Sequence, residues 1–348
     1  MKDNKEGEKN IMSIIKKLFV LVVLLFVGVL FVGCEKSGGK DDIIAIDKTK
    51  TINVGILQLV THDALGAAKD GFIAGLKEAG YEDGKNIKIV LKNPEADTAT
   101  MNQMAEELVR TCDIVLAIAT PAATAVQTAA ETTGRKIPIL FTAVTDAVEA
   151  QLVESNEKPG GRITGTSDIN PVTDQIDLLK ELLPSATKFG ILYNISEVNS
   201  QVQARLAKEE GAKQGLTAIE KTATDAASLP SVVQQLINDG VSAIYLPTDN
   251  LIASNMPAVV EKCEAAKIPT ICGEGGMVDN GGTITYGINY FNLGKQTAAM
   301  AVKIFDGTKP SKLPVETQPA DKLEITANME SLRQMGIELP ESIRNRMK

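Results

Sequence analysis

The sequence predicts an α/β protein built as two doubly wound lobes joined by a hinge. Short apolar runs alternate with amphipathic helical patterns along most of the chain, which is the signature of βα units. The alternation runs through one array, restarts near residue 170 and runs through a second of similar size. Each array contains a continuous apolar run, residues 113–119 and 241–246, as expected of parallel strands buried on both faces.

In the first array, residues 52–60 read as a strand and 63–79 as a helix with Gly80 behind it, where helices commonly end. Residues 86–91 alternate as a strand. Residues 98–110 place Met101, Met104, Ala105 and Leu108 on one helical face, so both methionines are core residues. After the strand at 113–119, Pro121 stands where a helix tolerates proline, in its first turn. Residues 137–141 and 162–165 are further strands. In the second array, Asn170-Pro171 precedes a helix carrying Val172, Ile176, Leu179 and Leu183 on one face. Strands are expected at 188–193, 217–221, 241–246 and 268–272, and helices at 200–214 and 251–266. Between them Leu229, Val232, Val233, Leu236 and Ile237 follow the i, i+3, i+4, i+7, i+8 pattern of a buried helix face. The segment after Thr283 is expected to return to the first lobe, with a helix from Tyr290 to Asp306. The expected boundaries are 51–167 for lobe 1, with a returning segment at about 286–308, and 168–285 for lobe 2, with a C-terminal segment at about 309–348.

The first 50 residues are of another kind. Lys16-Lys17 is a short basic patch, and from Leu18 to Gly33 there is neither charge nor polar side chain. A basic stretch, an apolar stretch and small residues before a cleavage point make a secretory signal, here residues 1–33. The apolar run is shorter than the roughly 20 residues of a spanning helix. Phe31-Val32-Gly33-Cys34 resembles a lipobox, with Phe31 where that pattern prefers Leu; the resemblance implies lipidation of Cys34. Residues 34–50 supply Gly, Ser and charge in the proportions of a flexible tether. Met12 is a second candidate start, since residues 1–10 are polar.

Composition excludes several functions. The chain has 36 basic and 44 acidic residues; without residues 1–33 the net charge is −10, and no basic run exceeds two residues, which argues against nucleic-acid binding. Three cysteines remain beside Cys34, an odd number that rules out a full disulfide framework; Cys263 and Cys272 could pair or be buried thiols. His62 is the only histidine, which removes most zinc sites and most Ser-His or Cys-His catalytic arrangements, so no enzyme, metal or cofactor is expected.

In open parallel sheets ligands bind beyond the carboxyl ends of the strands, and two lobes facing each other there enclose a cleft that closes by a hinge. The first lobe brings His62, Thr120, Thr142, Thr145 and Asp146 to those ends; the second brings Tyr193, Ser196, Glu197, Asn199, Asp249, Asn250 and Glu274. Hydroxyls and helix N-termini on one side suit a carboxylate. Acids on the other suit an ammonium, so the expected ligand is a zwitterion. Gly273-Glu274-Gly275-Gly276 does not match a dinucleotide fingerprint. Blander roles compete: Thr120, Thr145, Asn170 and Asn250 also stand where helix N-caps belong, Tyr193 is equally a core residue, and Glu197, Glu274 and His62 are equally loop residues.

These strand-end segments resemble the ABC-transporter substrate-binding lipoproteins of the tryptophan-binding type, a type I periplasmic-binding-protein fold. The resemblance runs from about residue 51 to 343. It is carried by Gly55-Ile56-Leu57-Gln58, His62, Gly71-Phe72, Gly75-Leu76, Gly80-Tyr81 and Ala119-Thr120-Pro121-Ala122-Ala123. It continues in Thr145-Asp146, Gly165-Thr166-Ser167-Asp168, Asn170-Pro171, Ser196-Glu197, Asn199-Ser200 and Pro247-Thr248-Asp249-Asn250. Ala147 stands where the family often has proline, and Glu274 lies outside the matched segments. The resemblance implies an aromatic amino acid held between the lobes, with Thr120 and Thr145 on one side, Ser196, Glu197 and Asn199 on the other, and Asp249 and Asn250 near its ammonium. Tyrosine is favoured by the polar loops; tryptophan and phenylalanine stay open. The implied partners are an ABC permease and its ATPase, reached by a monomer anchored through lipid to the outer face of the cell membrane. A surface adhesin or sensor subunit is the alternative, and a hydrolase on the same fold a weaker one.

Overall fold

A computed structural model describes residues 43–347. The expected signal segment, Cys34 and most of the tether lie outside these residues. Two sheets form the frame. The first has the order β2-β1-β3-β4-β5, all parallel, with β1 Ile52–Gln58, β2 Ile87–Lys92, β3 Ile114–Ile118, β4 Ile139–Val144 and β5 Ile163–Ser167. Every residue of β3, β4 and β5 is buried, as their apolar and threonine-rich sequences require. Helices α1 (Asp63–Glu78), α2 (Thr98–Thr111) and α3 (Thr120–Thr133) connect the first four strands.

The second sheet has the order β11-β10-β9-β8-β6-β7, comprising β6 Lys188–Asn194, β7 Thr217–Ala223, β8 Ile244–Leu246, β9 Thr270–Cys272, β10 Ile284–Gly287 and β11 Glu324–Ala327. Only β11 runs antiparallel to its neighbour. Its helices are α4 (Val172–Leu182), α5 (Val198–Lys213), α6 (Leu229–Asn238), α7 (Asn250–Ala253), α8 (Met256–Ala266) and α9 (Gly275–Asp279). The sequence suggests one helix across 251–266. The structure breaks it at Ser254-Asn255, because Pro257 lacks an N–H and starts a new first turn. Cys112, Cys263 and Cys272 are buried free thiols, so Cys263 and Cys272 do not pair; burial pushes both of these up to about 12.

Helix α10 (Tyr290–Phe305) follows β10 but packs on α1 of the first lobe. Glycines set that contact. A Cβ on Gly71 would lie 1.9 Å from the Phe291 carbonyl oxygen, and one on Gly294 2.0 Å from that of Ala68, so the two backbones meet where neither has a side chain. A hydroxyl ladder ties the same helix to the sheet: Thr166 Oγ1 lies 3.0 Å from Thr142 Oγ1 and 2.7 Å from Thr297 Oγ1. Residues 313–316 then run beside β5, where Thr164 donates to Leu313 O and Ser167 N–H to Glu316 O. The first lobe therefore keeps the chain until about residue 317, rather than the expected 308 or so. Helices α11 (Met329–Met335) and α12 (Glu341–Arg344) complete the second lobe.

Three connections cross between the lobes, near residues 168–171, 287–289 and 317–323. Amide side chains strap them together. Asn170 donates to Asp168 O and accepts from Ile288 N–H, while Gln318 accepts from Asn289 N–H and donates to its carbonyl. Asn170 thus serves the hinge, and the residue before α4 is Pro171 without a side-chain cap.

Candidate functional site

The carboxyl ends of the two sheets face one another across a cleft. Its innermost pocket is lined from the first lobe by His62, Leu65, Ala143, Thr145, Asp168 and Tyr290, and from the second by Asn199, Thr248, Asp249, Asn250, Ala253 and Glu274. The cavity is about 10 Å³, which is room for about one water. Of the twelve residues expected from sequence, His62, Thr145, Asn199, Asp249, Asn250 and Glu274 meet here.

On the first wall the backbone is bent against its preference. Ala119 at the end of β3 has φ 86°, and Ala143 near the end of β4 has φ 55°, a region that side-chain-bearing residues seldom adopt. Such conformations persist where surrounding packing over-determines them, and they cluster at ligand sites. Ala119 is followed by Thr120, whose buried Oγ1 has no hydrogen-bond partner. Thr145 donates to Asp168 at 3.0 Å, and Asp168 also accepts from Tyr290 OH at 2.7 Å. Burial holds the Asp168 carboxyl above its usual range against these two bonds.

The second wall is a polar network. Glu197 accepts from Asn250 N–H and Nδ2, Leu251 N–H, Asn199 Nδ2 and Asn194 Nδ2, all within 3.2 Å. Asp249 accepts from Ile252 N–H at 3.0 Å, capping α7, and from Asn194 N–H at 2.6 Å, pinning the end of β6. Burial, reinforced by the neighbouring Glu197, pushes the Asp249 carboxyl well above its usual range. Glu274 accepts from Gly276 N–H at 2.5 Å through Oε2, while its buried Oε1 has no partner. Burial pushes it, too, up to about 7. Beneath the pocket Gln203 donates to Thr145 and Thr248 and receives Thr248 N–H and Tyr245 OH.

Besides the Gln203 bond to Thr145, the lobes touch through two polar pairs at the pocket. Thr145 Oγ1 lies 3.3 Å from Thr248 Oγ1, and His62 Nε2 lies 3.2 Å from Asn250 Oδ1. The second pair fixes a tautomer. Asn250 gives its amide N–H to Glu197, so its oxygen faces the ring and Nε2 must donate. Burial lowers the imidazole pKa, which keeps the ring neutral. The buried Nδ1, without a partner, is then an acceptor. Asn199 spends its amide N–H groups on Glu197, Ser200 Oγ and Thr248 O, leaving Oδ1 as another unpartnered acceptor.

Four expected residues fall elsewhere. Thr142 points into the first lobe, where its hydroxyl meets Thr166. Asp146 caps the turn after β4 through Val148 and Glu149 N–H. Tyr193 packs in the second lobe's core with its OH toward Glu220. Ser196 is exposed in the β6–α5 turn, where Asn194 Oδ1 accepts its N–H. Sequence reasoning missed Asp168, Thr248, Gln203 and Tyr290 as site residues. Asp168 and Thr248 could have been found, since Asp168 directly follows β5 and Thr248 lies two residues beyond β8; Gln203 and Tyr290 reach the site from inside or at the head of helices.

A two-lobed α/β frame with three crossovers and a polar cleft at the strand ends defines the type I periplasmic-binding-protein architecture. Residues 53–348 match the family model for ABC transporter substrate binding proteins, and the chain belongs to that family. It is 37% identical over 328 residues, 93% of each chain, to a protein of Clostridioides difficile named tyrosine-binding protein. Among solved structures it is similar to an ABC domain from Streptococcus pneumoniae in complex with L-Trp, with 34% identity, TM-score 0.81 and coverage of 86% of this chain and 99% of that one. A ligand-free, open substrate-binding protein with adhesive properties from Clostridium difficile matches at 39% identity and TM-score 0.66, covering 86% and 98%.

Proposed function

We propose that this protein captures an aromatic amino acid, tyrosine first, outside the cell and passes it to the permease of an ABC importer. The observation that carries the ligand class is the pocket's imbalance of hydrogen-bonding groups. His62 Nδ1, Asn199 Oδ1 and Glu274 Oε1 are buried, unpartnered acceptors lining one pocket, and no Lys or Arg lines it. Three acceptors without a cation call for a ligand that brings several N–H donors and positive charge, as an α-ammonium does. Beyond the residues that line this pocket, Thr120 and the start of α3, in the first lobe like His62, offer an unpartnered hydroxyl and a helix N-terminus to a carboxylate. The names of the relatives support an aromatic side chain, and the relative named for tyrosine favours that ligand.

The lobe arrangement agrees with hinge closure. The chain is more identical to the open, ligand-free relative than to the L-Trp complex, yet superposes better on the latter. A cavity of about 10 Å³ is too small for an amino acid, so capture requires the lobes to part and then close on the ligand. Acylation of Cys34 would hold the receptor at the membrane; Cys34→Ser should release it from the membrane fraction.

The decisive measurement is titration calorimetry of the purified protein against the twenty amino acids. Saturable binding of one or more aromatic amino acids, with no turnover, is expected; no heat or thermal shift with any of them refutes the reading. The adhesive properties of the Clostridium difficile relative favour a second role at the cell surface. Adherence to host cells that survives loss of ligand binding would separate the two.

A further inference from the structure

We infer that Glu274 is the residue that receives the ligand's ammonium, and that it gives up a proton as it does so. The inference rests on the amino-acid reading above and moves the cationic subsite away from Asp249, where the family resemblance placed it.

Four buried carboxylates stand at the cleft: Asp168, Glu197, Asp249 and Glu274. Glu197 is held by five protein donors, none of which belongs to a cation. Both oxygens of Asp249 are engaged, one by the α7 cap and one by Asn194 N–H. Asp168 holds Thr145 on one oxygen and Tyr290 on the other. Glu274 alone keeps one oxygen unpartnered among the described residues, although it is 2% exposed. Its other oxygen is fixed by Gly276 N–H, so the free oxygen is aimed rather than adrift. An unpaired carboxylate oxygen out of water is costly, and a cationic donor relieves that cost more fully than a neutral one.

The proton follows from the surroundings. The titratable groups facing Glu274 are His62 and Asp63 from the head of α1, Asp168, Asp249, Cys272, Asp279 on α9, Tyr290 on α10 and Glu324 on β11. None is a cation, and burial keeps the imidazole neutral. Burial with acid neighbours raises Glu274 to about 7, so near neutral pH a substantial fraction carries a proton. An arriving ammonium favours the carboxylate. The carboxyl O–H proton leaves to solvent, the ammonium keeps its three, and charge balances. Protons therefore compete with the ligand below pH 7, and affinity should rise with pH between about 5.5 and 7.5, by at most about tenfold per unit.

The test uses the full-length protein and Glu274→Gln, which keeps shape and removes charge. The probes are tyrosine, its deaminated analogue 3-(4-hydroxyphenyl)propionate, and phenylalanine. Calorimetry at pH 7 in two buffers of different ionisation enthalpy counts protons. The wild type should release a fraction of a proton per tyrosine and prefer tyrosine to the deaminated analogue. Glu274→Gln should release none and lose at least about tenfold of that preference, as expected for one charged hydrogen bond, while its ratio of tyrosine to phenylalanine stays put. Loss of the tyrosine-over-phenylalanine ratio instead would assign Glu274 to the ring hydroxyl and overturn the proposal. An unchanged amine preference would overturn it as well. If Glu274→Gln does not fold, the wild-type proton count and pH profile still decide: no proton released and a flat profile refute it. Failure of the wild type to bind any amino acid would instead refute the amino-acid reading itself.

Discussion

The two walls of the cleft are positioned by different forces. The first-lobe wall holds its shape by packing: Ala119 and Ala143 sit at positive φ on strands that are wholly buried, and α10 is pressed against α1 at contacts only glycine permits. The second-lobe wall holds its shape by hydrogen bonds, with Glu197 and Asp249 gathering the ends of β6 and β8 and the head of α7. A packed wall is insensitive to pH and intolerant of volume. A bonded wall tolerates volume and depends on charge.

The largest effect should come from breaking the packed wall. In Gly294→Ala the new Cβ would lie 2.0 Å from Ala68 O, and the obstacle is backbone that cannot rotate away. A loss of about 3 kcal/mol, the upper end for overpacking, is expected. Chemical denaturation should show it, with first-lobe amides losing hydrogen-exchange protection ahead of second-lobe ones. Uniform loss across both lobes would mean that the two walls are not held by different forces.

Glu197→Ala attacks the bonded wall. It strands several buried donors, each costing about 1–3 kcal/mol where water does not reach it. Water at the partly exposed Asn194 and Leu251 should limit the total to about 2–3 kcal/mol. The loss should localise to second-lobe amides, the mirror image of Gly294→Ala. Asp249→Ala is the milder test: both its oxygens are engaged within the lobe, so it removes a cap worth about 1 kcal/mol and should change ligand affinity by less than about tenfold. A larger loss of affinity in a folded variant would return Asp249 to direct contact with the ligand.

The same contrast explains what the sequence could reveal. Strands and their ends were legible because a buried parallel strand is a run of apolar residues followed by a polar loop, as at Asp249 and Glu274. Side-chain direction at those ends was not, since it reverses with each residue. That is why Thr145 reaches the pocket while Thr142 turns into the lobe, and why Tyr193 falls in the core beside Asn194, which joins the network. Gln203 was hidden because the helical period marks it as buried but not as polar contact to another lobe. Tyr290 reaches the cleft only because the chain crosses back, a long-range event without a local signal. The break at Ser254-Asn255 was legible in Pro257, and the boundary near residue 317 was not, because residues 313–316 carry no strand pattern.

The smallest expected effect sharpens the rule about volume. Gly66 lies in the interior of α1, near the cleft, yet a Cβ there would meet nothing within 4 Å. It is thus unlike Gly71 and Gly75 of the same helix, where a Cβ would strike Phe291 O and the Ala298 side chain. If packing alone constrains this wall, Gly66→Ala should stabilise the protein by about 0.5–1 kcal/mol, through the lower backbone entropy of the unfolded chain. Thermal unfolding should show a small rise in Tm without ligand, with affinity unchanged. A fall in Tm would mean that α1 needs glycine flexibility as well as glycine size. An intact Tm with weakened binding would place Gly66 on the path the lobes take as they close.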